Sequence, residues 1–395
     1  MNNIKLVSFR KLAWPIVAVI YNLSRLIPFR NKKIWIYGES CGKYYVDNTK
    51  YLFEFACKQS YSDIRHVWIT GNPNIINKIR EMGFEAYRQG SFKAFWCQLR
   101  CGVAIYNKGL DDISKFPFYG GAYIVSVWHG AGFKRIYNAT YTGKYITFKK
   151  IIDRVFCWTR MNLLMATSEY QCKQFLERFD IQRNQMVITG QPRNDFFYNE
   201  NNNSTIKKQL SISPYKKVVL YMPTYRSTFQ GEGIEKKILN EIICNTKFCD
   251  YISQNNYIFV VKLHPMTSLF DIPQNNYLRL LEHGGDVDTQ QLLSIADVLI
   301  TDYSSCFVDY ALLHRPIVFY IPDKDDYVKY VGGMDKEFYD FLKYGCAYNV
   351  EELVNALKNP SLRIADEANK LFYAPETGNN FSENVYNAIK AKIFK

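Results

Sequence analysis

The chain of 395 residues is long enough for two to three domains at roughly 150 residues each, and too long for one small binding module. Its 48% hydrophobic and 22% charged residues exclude a disordered, collagen-like or polytopic membrane chain. Fifty Lys and Arg against 37 Asp and Glu leave a formal charge of +13, which points to an acidic partner: phosphates, anionic lipid or nucleic acid. Ten dispersed Cys form no CxxC pair and no Cys/His cluster of zinc spacing, so reduced thiols in a cytosolic compartment are expected, without a structural metal.

In chain order, the first element is an apolar run from Leu12 to Tyr21 between Lys5, Arg10, Lys11, Arg25 and Arg30. It is half the roughly 20 residues that a spanning helix needs. No small-residue cleavage site follows, so residues 1–30 are expected to form an interfacial helix on an anionic membrane surface.

From residue 34, short apolar runs alternate with helical patterns. IWIY, HVWIT, GVAIYN, AYIVSVW, LLMATS and MVITG read as buried parallel strands, with helices at Lys50 to Gln59, Pro73 to Met82, Ser91 to Arg100 and Glu169 to Arg178. A polar stretch over residues 199–217 reads as a linker, after which VVLYMP, YIFVVKL, VLIT and IVFYIP begin a second series. The fold class is therefore α/β, with two doubly wound Rossmann-like domains over 31–200 and 201–375. The amphipathic helix Glu383 to Phe394, within a closing segment 376–395, is expected to return to the first domain.

Open α/β sheets place ligands at the carboxyl ends of their strands, so polar residues just past an apolar run are the candidates. Two of five histidines meet that condition, His129 in SVWHGAG and His264 in VVKLHPM. A neutral imidazole accepts a proton from a hydroxyl, and a protonated one stabilises a phosphate. Gly130 and Gly132 would let backbone approach a phosphate closely. In Asp288 to His314, Asp288 and Gln291 have capping-box spacing, and a strand ends in Asp302 before Ser304 and Ser305 open a helix, an outline suited to a pyrophosphate. Arg226 in MPTYR and Arg193 in GQPRND could each hold a phosphate bidentately. Lys134, Arg135, Lys144, Lys149, Lys150 and Arg154 form a basic, tyrosine-rich stretch that suits a polyanion or a membrane. Without a helix-turn-helix, RRM or zinc-finger pattern, no nucleic-acid partner is expected. There is no GxSxG elbow and no P-loop.

Together WHGAGFK, YMPTYR, KLHP, GKYYVDNTKYLFEF, TGQPRND and above all ITDYSSCFVDYALLHRPIVFY resemble the CDP-glycerol glycerophosphotransferase family of teichoic acid and capsule polymerases, from residue 34 nearly to the end. The resemblance implies a GT-B-like fold, two Rossmann-like domains facing a central cleft. It also implies transfer of a polyol phosphate from CDP-glycerol or CDP-ribitol to a hydroxyl of a lipid-linked polyanionic polymer, with release of CMP, at the cytoplasmic face of a bacterial membrane. On that pattern His129 is the general base and His264, with Lys262 beside it, stabilises the donor phosphates. Asp302, Ser304, Ser305 and Arg226 bind the donor, and Gly130, Lys134 and Arg193 meet acceptor or phosphate. The sequence departs from the family's WHGTPLK at Ala131-Gly132-Phe133, and TGNNFSEN near Asn384 lacks the family's closing Arg.

No resident cofactor and no metal ligand set are expected, CDP-polyol being a substrate; a divalent cation such as Mg2+ is compatible with the reaction. The alternatives are a GT-B sugar-nucleotide glycosyltransferase or epimerase, and a non-catalytic membrane-peripheral scaffold.

Overall fold

The computed structural model describes residues 16–59, 63–135, 161–198, 203–226, 233–264, 266–267, 276–281 and 287–395. The basic residues Lys144, Lys149, Lys150 and Arg154, and Lys5, Arg10, Lys11 and Leu12, lie outside them.

Thirteen strands form two all-parallel sheets among the described residues. The first comprises β1 (Asn31–Tyr37), β2 (Arg65–Thr70), β3 (Glu85–Arg88), β4 (Cys101–Tyr106), β5 (Tyr123–Ser126), β6 (Leu163–Ala166) and β7 (Met186–Ile188), in the order β3-β2-β1-β4-β5-β6-β7. The second comprises β8 (Lys217–Met222), β9 (Tyr257–Val261), β10 (Leu278–Leu280), β11 (Val298–Thr301), β12 (Ile317–Tyr320) and β13 (Cys346–Ala347), in the order β10-β9-β8-β11-β12-β13. Both orders reverse direction beside their first strand, which puts a topological switch point between β1 and β4 and another between β8 and β11.

The chain divides into two compact units. Among the described residues the first holds those up to His129, those from 161 to Asp195, and Ala374–Lys395; the second holds those from Gly130 to Arg135 and Phe196–Tyr373. Residues Gly130 to Arg135 thus leave the 31–200 stretch read as one domain. The cause is Phe133, which stacks on Phe307 and packs against Phe341 and Phe372 in the second unit's core. The polar stretch read as a linker contains a helix, Asn203–Gln209, whose buried residue Ile206 anchors it. In the first unit, the C-terminal helix Phe381–Ile393 supplies Val385, Tyr386, Ile389 and Ile393 to a core that also holds Trp35, Phe53 and Trp68. Asp195 caps that helix by accepting from the Phe381 and Ser382 N–H groups.

Residues 16–23 are helical. Ala18 and Tyr21 pack inward, Tyr21 edge-on to Tyr119, while Ile16, Val19, Leu23 and Leu26 are exposed. Arg30, read from sequence as a lipid-facing flank, turns inward instead. Its guanidinium donates to the carbonyls of Ser24, Gln98, Cys101 and Phe118, because those buried acceptors need a donor and a five-donor fork can serve them all. Among the described residues no helix is long and apolar enough to cross a membrane.

Candidate active site

In the first unit, polar residues gather past the carboxyl ends of β1, β4 and β5. Register fixes them as neighbours, since Tyr37 pairs with Ile105 and Tyr106 with Ser126. Glu39 therefore follows β1, Asn107 and Lys108 follow β4, and His129 follows β5.

The backbone here is strained. Ser40, Cys41 and Gly42 are all left-handed, as are Asp47 and Trp128 (φ 64° and 54°), a region that side chains other than glycine enter at a cost. Trp128 is held there from three sides. Its ring packs on His129, Phe175 and Phe179, and its carbonyl accepts from Asn48 Nδ2 at 2.8 Å. Arg193 completes the clamp: its backbone N–H donates to Asn48 Oδ1 (3.1 Å), and its guanidinium donates to His129 O (3.1 Å) and Asp47 Oδ1 (2.6 Å). Arg193, expected to meet phosphate, is thus a buried positioning group for the His129 backbone. The elements that carry Asp47, Asn48 and Arg193 are the GKYYVDN and TGQPRND segments, read from sequence only as parts of a pattern.

His129 is half-buried, and its Nδ1 has no hydrogen-bond partner among the described residues. Burial pushes the imidazole down to about 4, against the pull of the Asp47 charge. The ring is therefore neutral at physiological pH and able to accept a proton. Beside it the fully buried Asn107 side chain likewise has no partner among the described residues for either amide atom. Glu39, also fully buried, accepts from the Ser40 and Thr49 hydroxyls; burial, then the Asp47 and Asp112 charges, raise it to about 8.

The second unit's polar cluster differs. Arg226 and Asp302, both expected to touch the donor, are buried against one another. Arg226 also donates to Asp323 and to Thr224 O, and its guanidinium lies over the Tyr303 and Tyr327 rings. Asp302 accepts from the Thr224 N–H with both oxygens. A buried charge without a partner costs several kcal/mol, and here each has one, so the pair shapes the loops after β8 and β11 and is not open to a ligand.

Around this triad stand the groups that remain accessible. Ser304 and Ser305 are half-buried; Ser304 Oγ accepts weakly from the Cys306 N–H, and the following helix is short, Cys306–Ala311. Lys134 arrives with Phe133, its Nζ 3.5 Å from Thr224 Oγ1, and burial lowers it to about 8. Gly132 lies beside Ser305, where an added Cβ would meet the serine Cβ at 3.6 Å, an ordinary van der Waals contact. Expected on the acceptor side, Gly130 and Lys134 belong to the second unit. Lys262 and His264 follow β9; burial lowers Lys262, with Asp288 opposing. His264 is exposed, stacked on Tyr225, and accepts the Met266 N–H at Nδ1, so the neutral ring carries its proton on Nε2.

Sequence reasoning missed Glu39, Asp47, Asn48, Lys108 and Asp323, although Glu39, Lys108 and Asp323 satisfy the rule that singled out the histidines. Among the described residues, the trio able to gather metal-ligand atoms is Cys41, Asp111 and Asp112. It suits Mg2+ poorly, because one ligand is sulfur and Asp112 is already taken up by the N–H groups of Cys41, Asn107, Lys108 and Gly109.

Residues 19–391 match the family described as CDP-Glycerol:Poly(glycerophosphate) glycerophosphotransferase. The chain is 28% identical over 390 residues to a teichoic acid poly(glycerol phosphate) polymerase of Bacillus spizizenii, covering 93% of each. With a protein of the same description from Bacillus subtilis it shares 27% identity, over 87% of this chain and 46% of that longer one. In three dimensions it resembles the wall teichoic acid polymerase TagF with a TM-score of 0.74 at 21% identity, over 99% of this chain and 96% of that one, which shows the GT-B-like fold of two Rossmann-like domains.

Proposed function

The chain belongs to the CDP-Glycerol:Poly(glycerophosphate) glycerophosphotransferase family and is a transferase of that class, and from this premise we propose how its residues divide the work. It moves a polyol phosphate from a CDP-activated donor to a hydroxyl, releasing CMP. We assign glycerol phosphate as the group moved and a lipid-linked polymer of polyol phosphates as the acceptor, by likeness to the poly(glycerol phosphate) polymerases.

The observation that carries the assignment is His129: a neutral, half-buried ring on a backbone clamped by Asn48 and Arg193. The neutral His129 ring takes the proton of the acceptor hydroxyl, whose oxygen attacks the phosphorus bearing the polyol; that new P–O bond replaces the bond to CMP. Such a transfer needs alignment and neutralisation of spread charge more than covalent help. In the second unit the Ser304 and Ser305 hydroxyls donate to the donor phosphates, while Lys262 and Lys134 offset the charge on the departing CMP and the His264 Nε2–H donates to it. Asp302 and Arg226 set the loops and touch neither. The test is CMP release from CDP-glycerol and CDP-ribitol in the presence of a glycerol phosphate-primed lipid acceptor. Faster release from CDP-glycerol is expected; equal release from both would overturn the choice of polyol, and none from either would overturn the reading.

Attachment to an anionic membrane surface rests on the exposed stripe Ile16, Val19, Leu23 and Leu26. Phe29 and Trp96 are exposed as well, both within cation–π reach of Arg100. Apolar insertion beside basic residues suits an interface. Because Tyr21, Ser24 and Arg30 are built into the body, deletion of residues 1–30 would unfold their surroundings, and point changes are the sound probe. Leu23→Ser with Leu26→Ser should reduce sedimentation with anionic vesicles severalfold; unchanged sedimentation would remove this surface from the proposal.

A further inference from the structure

Lys108 has a setting unlike that of Arg193 or Arg30 in the same unit. The loop that carries it is pinned through its backbone: the Asp112 carboxylate accepts the N–H groups of Asn107 (3.1 Å), Lys108 (2.6 Å) and Gly109 (3.3 Å). Its side chain, by contrast, is half exposed, with Nζ 3.4 Å from Ser40 Oγ and 4.0 Å from Glu39 Oε1. Arg193 is sealed against Asp47, and Arg30 against four carbonyls. The carboxyl at salt-bridge distance from Nζ is Glu39, which burial, then the Asp47 and Asp112 charges, hold largely protonated at neutral pH, while Asp112 is taken up by backbone N–H groups of the loop. Strand pairing of β4 with β5 places Lys108 beside the stretch that ends in His129, and its charge helps to keep the His129 ring neutral.

We infer that Lys108 is a specificity-determining residue that grips the phosphodiester of the acceptor next to the hydroxyl presented to His129, so that the enzyme prefers an already phosphorylated, polyanionic acceptor over a neutral polyol. The inference rests on the proposed transferase reading. The chemistry is direct: an ammonium on a flexible stem meets a phosphodiester as a point charge, and a backbone fixed by Asp112 lets that charge be aimed without ordering the loop anew.

Steady-state kinetics of the full chain with CDP-glycerol and a synthetic lipid acceptor ending in glycerol phosphate test the idea. Lys108→Gln should raise the acceptor KM about three- to tenfold, the range of one partly exposed charge-assisted contact, and leave the CDP-glycerol KM within twofold. Lys108→Arg should restore most of the acceptor KM, and salt should raise that KM less steeply in Lys108→Gln than in the wild type. An unmoved acceptor KM, a parallel rise of both KM values, or a fall in kcat alone would overturn the inference while leaving the transferase reading standing. A wild-type chain that releases no CMP would take both down together.

Discussion

The two polar clusters sit at equivalent places, the switch points of two sheets of like topology, yet they handle charge in opposite ways. In the second unit Arg226, Asp302 and Asp323 neutralise one another under two tyrosine rings, and the accessible groups stand around a settled ionic centre. In the first, Glu39 lacks a countercharge at salt-bridge distance closer than Lys108 at 4.0 Å, Asn107 and His129 keep unpartnered atoms among the described residues, and several residues are left-handed. On the proposed division of work the second unit holds a highly charged donor, which a settled centre suits because its own protonation does not change. The first site, on the same division, takes up a proton, which a neutral imidazole suits, and strain is tolerated there because Asn48 and Arg193 over-determine the geometry.

The sharpest way to break this contrast is His129→Ala, which should lower turnover about 10² to 10⁴-fold in single-turnover CMP release while CDP-glycerol affinity by calorimetry barely moves. Turnover within threefold of wild type would end the base assignment. Next in size is Arg226→Met, which strands two buried carboxylates and should cost about 3–5 kcal/mol in urea unfolding of the second unit. A cost under about 1 kcal/mol would mean that the triad is not what settles that site. The third compares Glu39→Gln with wild type across pH. A carboxyl whose folded pKa is raised to about 8 contributes its full stability below its unfolded value near 4.5 and loses it as pH climbs toward 8. The substituted chain, which has nothing to ionise, should therefore gain on the wild type by on the order of 2–4 kcal/mol between pH 5 and 8. A pH-independent difference would show Glu39 ionised throughout.

The central strands were legible because each is a continuous apolar run buried on both faces, and the helix Glu169–Arg178 appeared at its expected bounds. The edge strands β3, β10 and β13 were not: EAYR, LRL and the two-residue CA carry charge or are too short to show a period. The helix Asn203–Gln209 escaped because one buried residue gives no repeat. At the site, position after a strand singled out His129 and His264, and both do follow strands, β5 and β9. The burial of Arg226 and Arg193 was not legible, because nothing local reveals that Asp302 lies opposite one and Asp47 opposite the other, 76 and 146 residues away in sequence. An arginine's role depends on whether a carboxylate has already claimed it.

The closing helix carries a consequence for the order of assembly. Val385, Tyr386, Ile389 and Ile393 complete a core begun by Trp35 and Phe53, so on the ribosome the first unit is left unsealed until the whole of the second has emerged. The second unit meets no such delay: its early contribution, the strip with Phe133, is already out when residues 196–373 follow. Synthesis from the N-terminus therefore finishes the later unit first, and the nascent chain passes through an interval in which the apolar flank of the first sheet faces water and is open to chaperones.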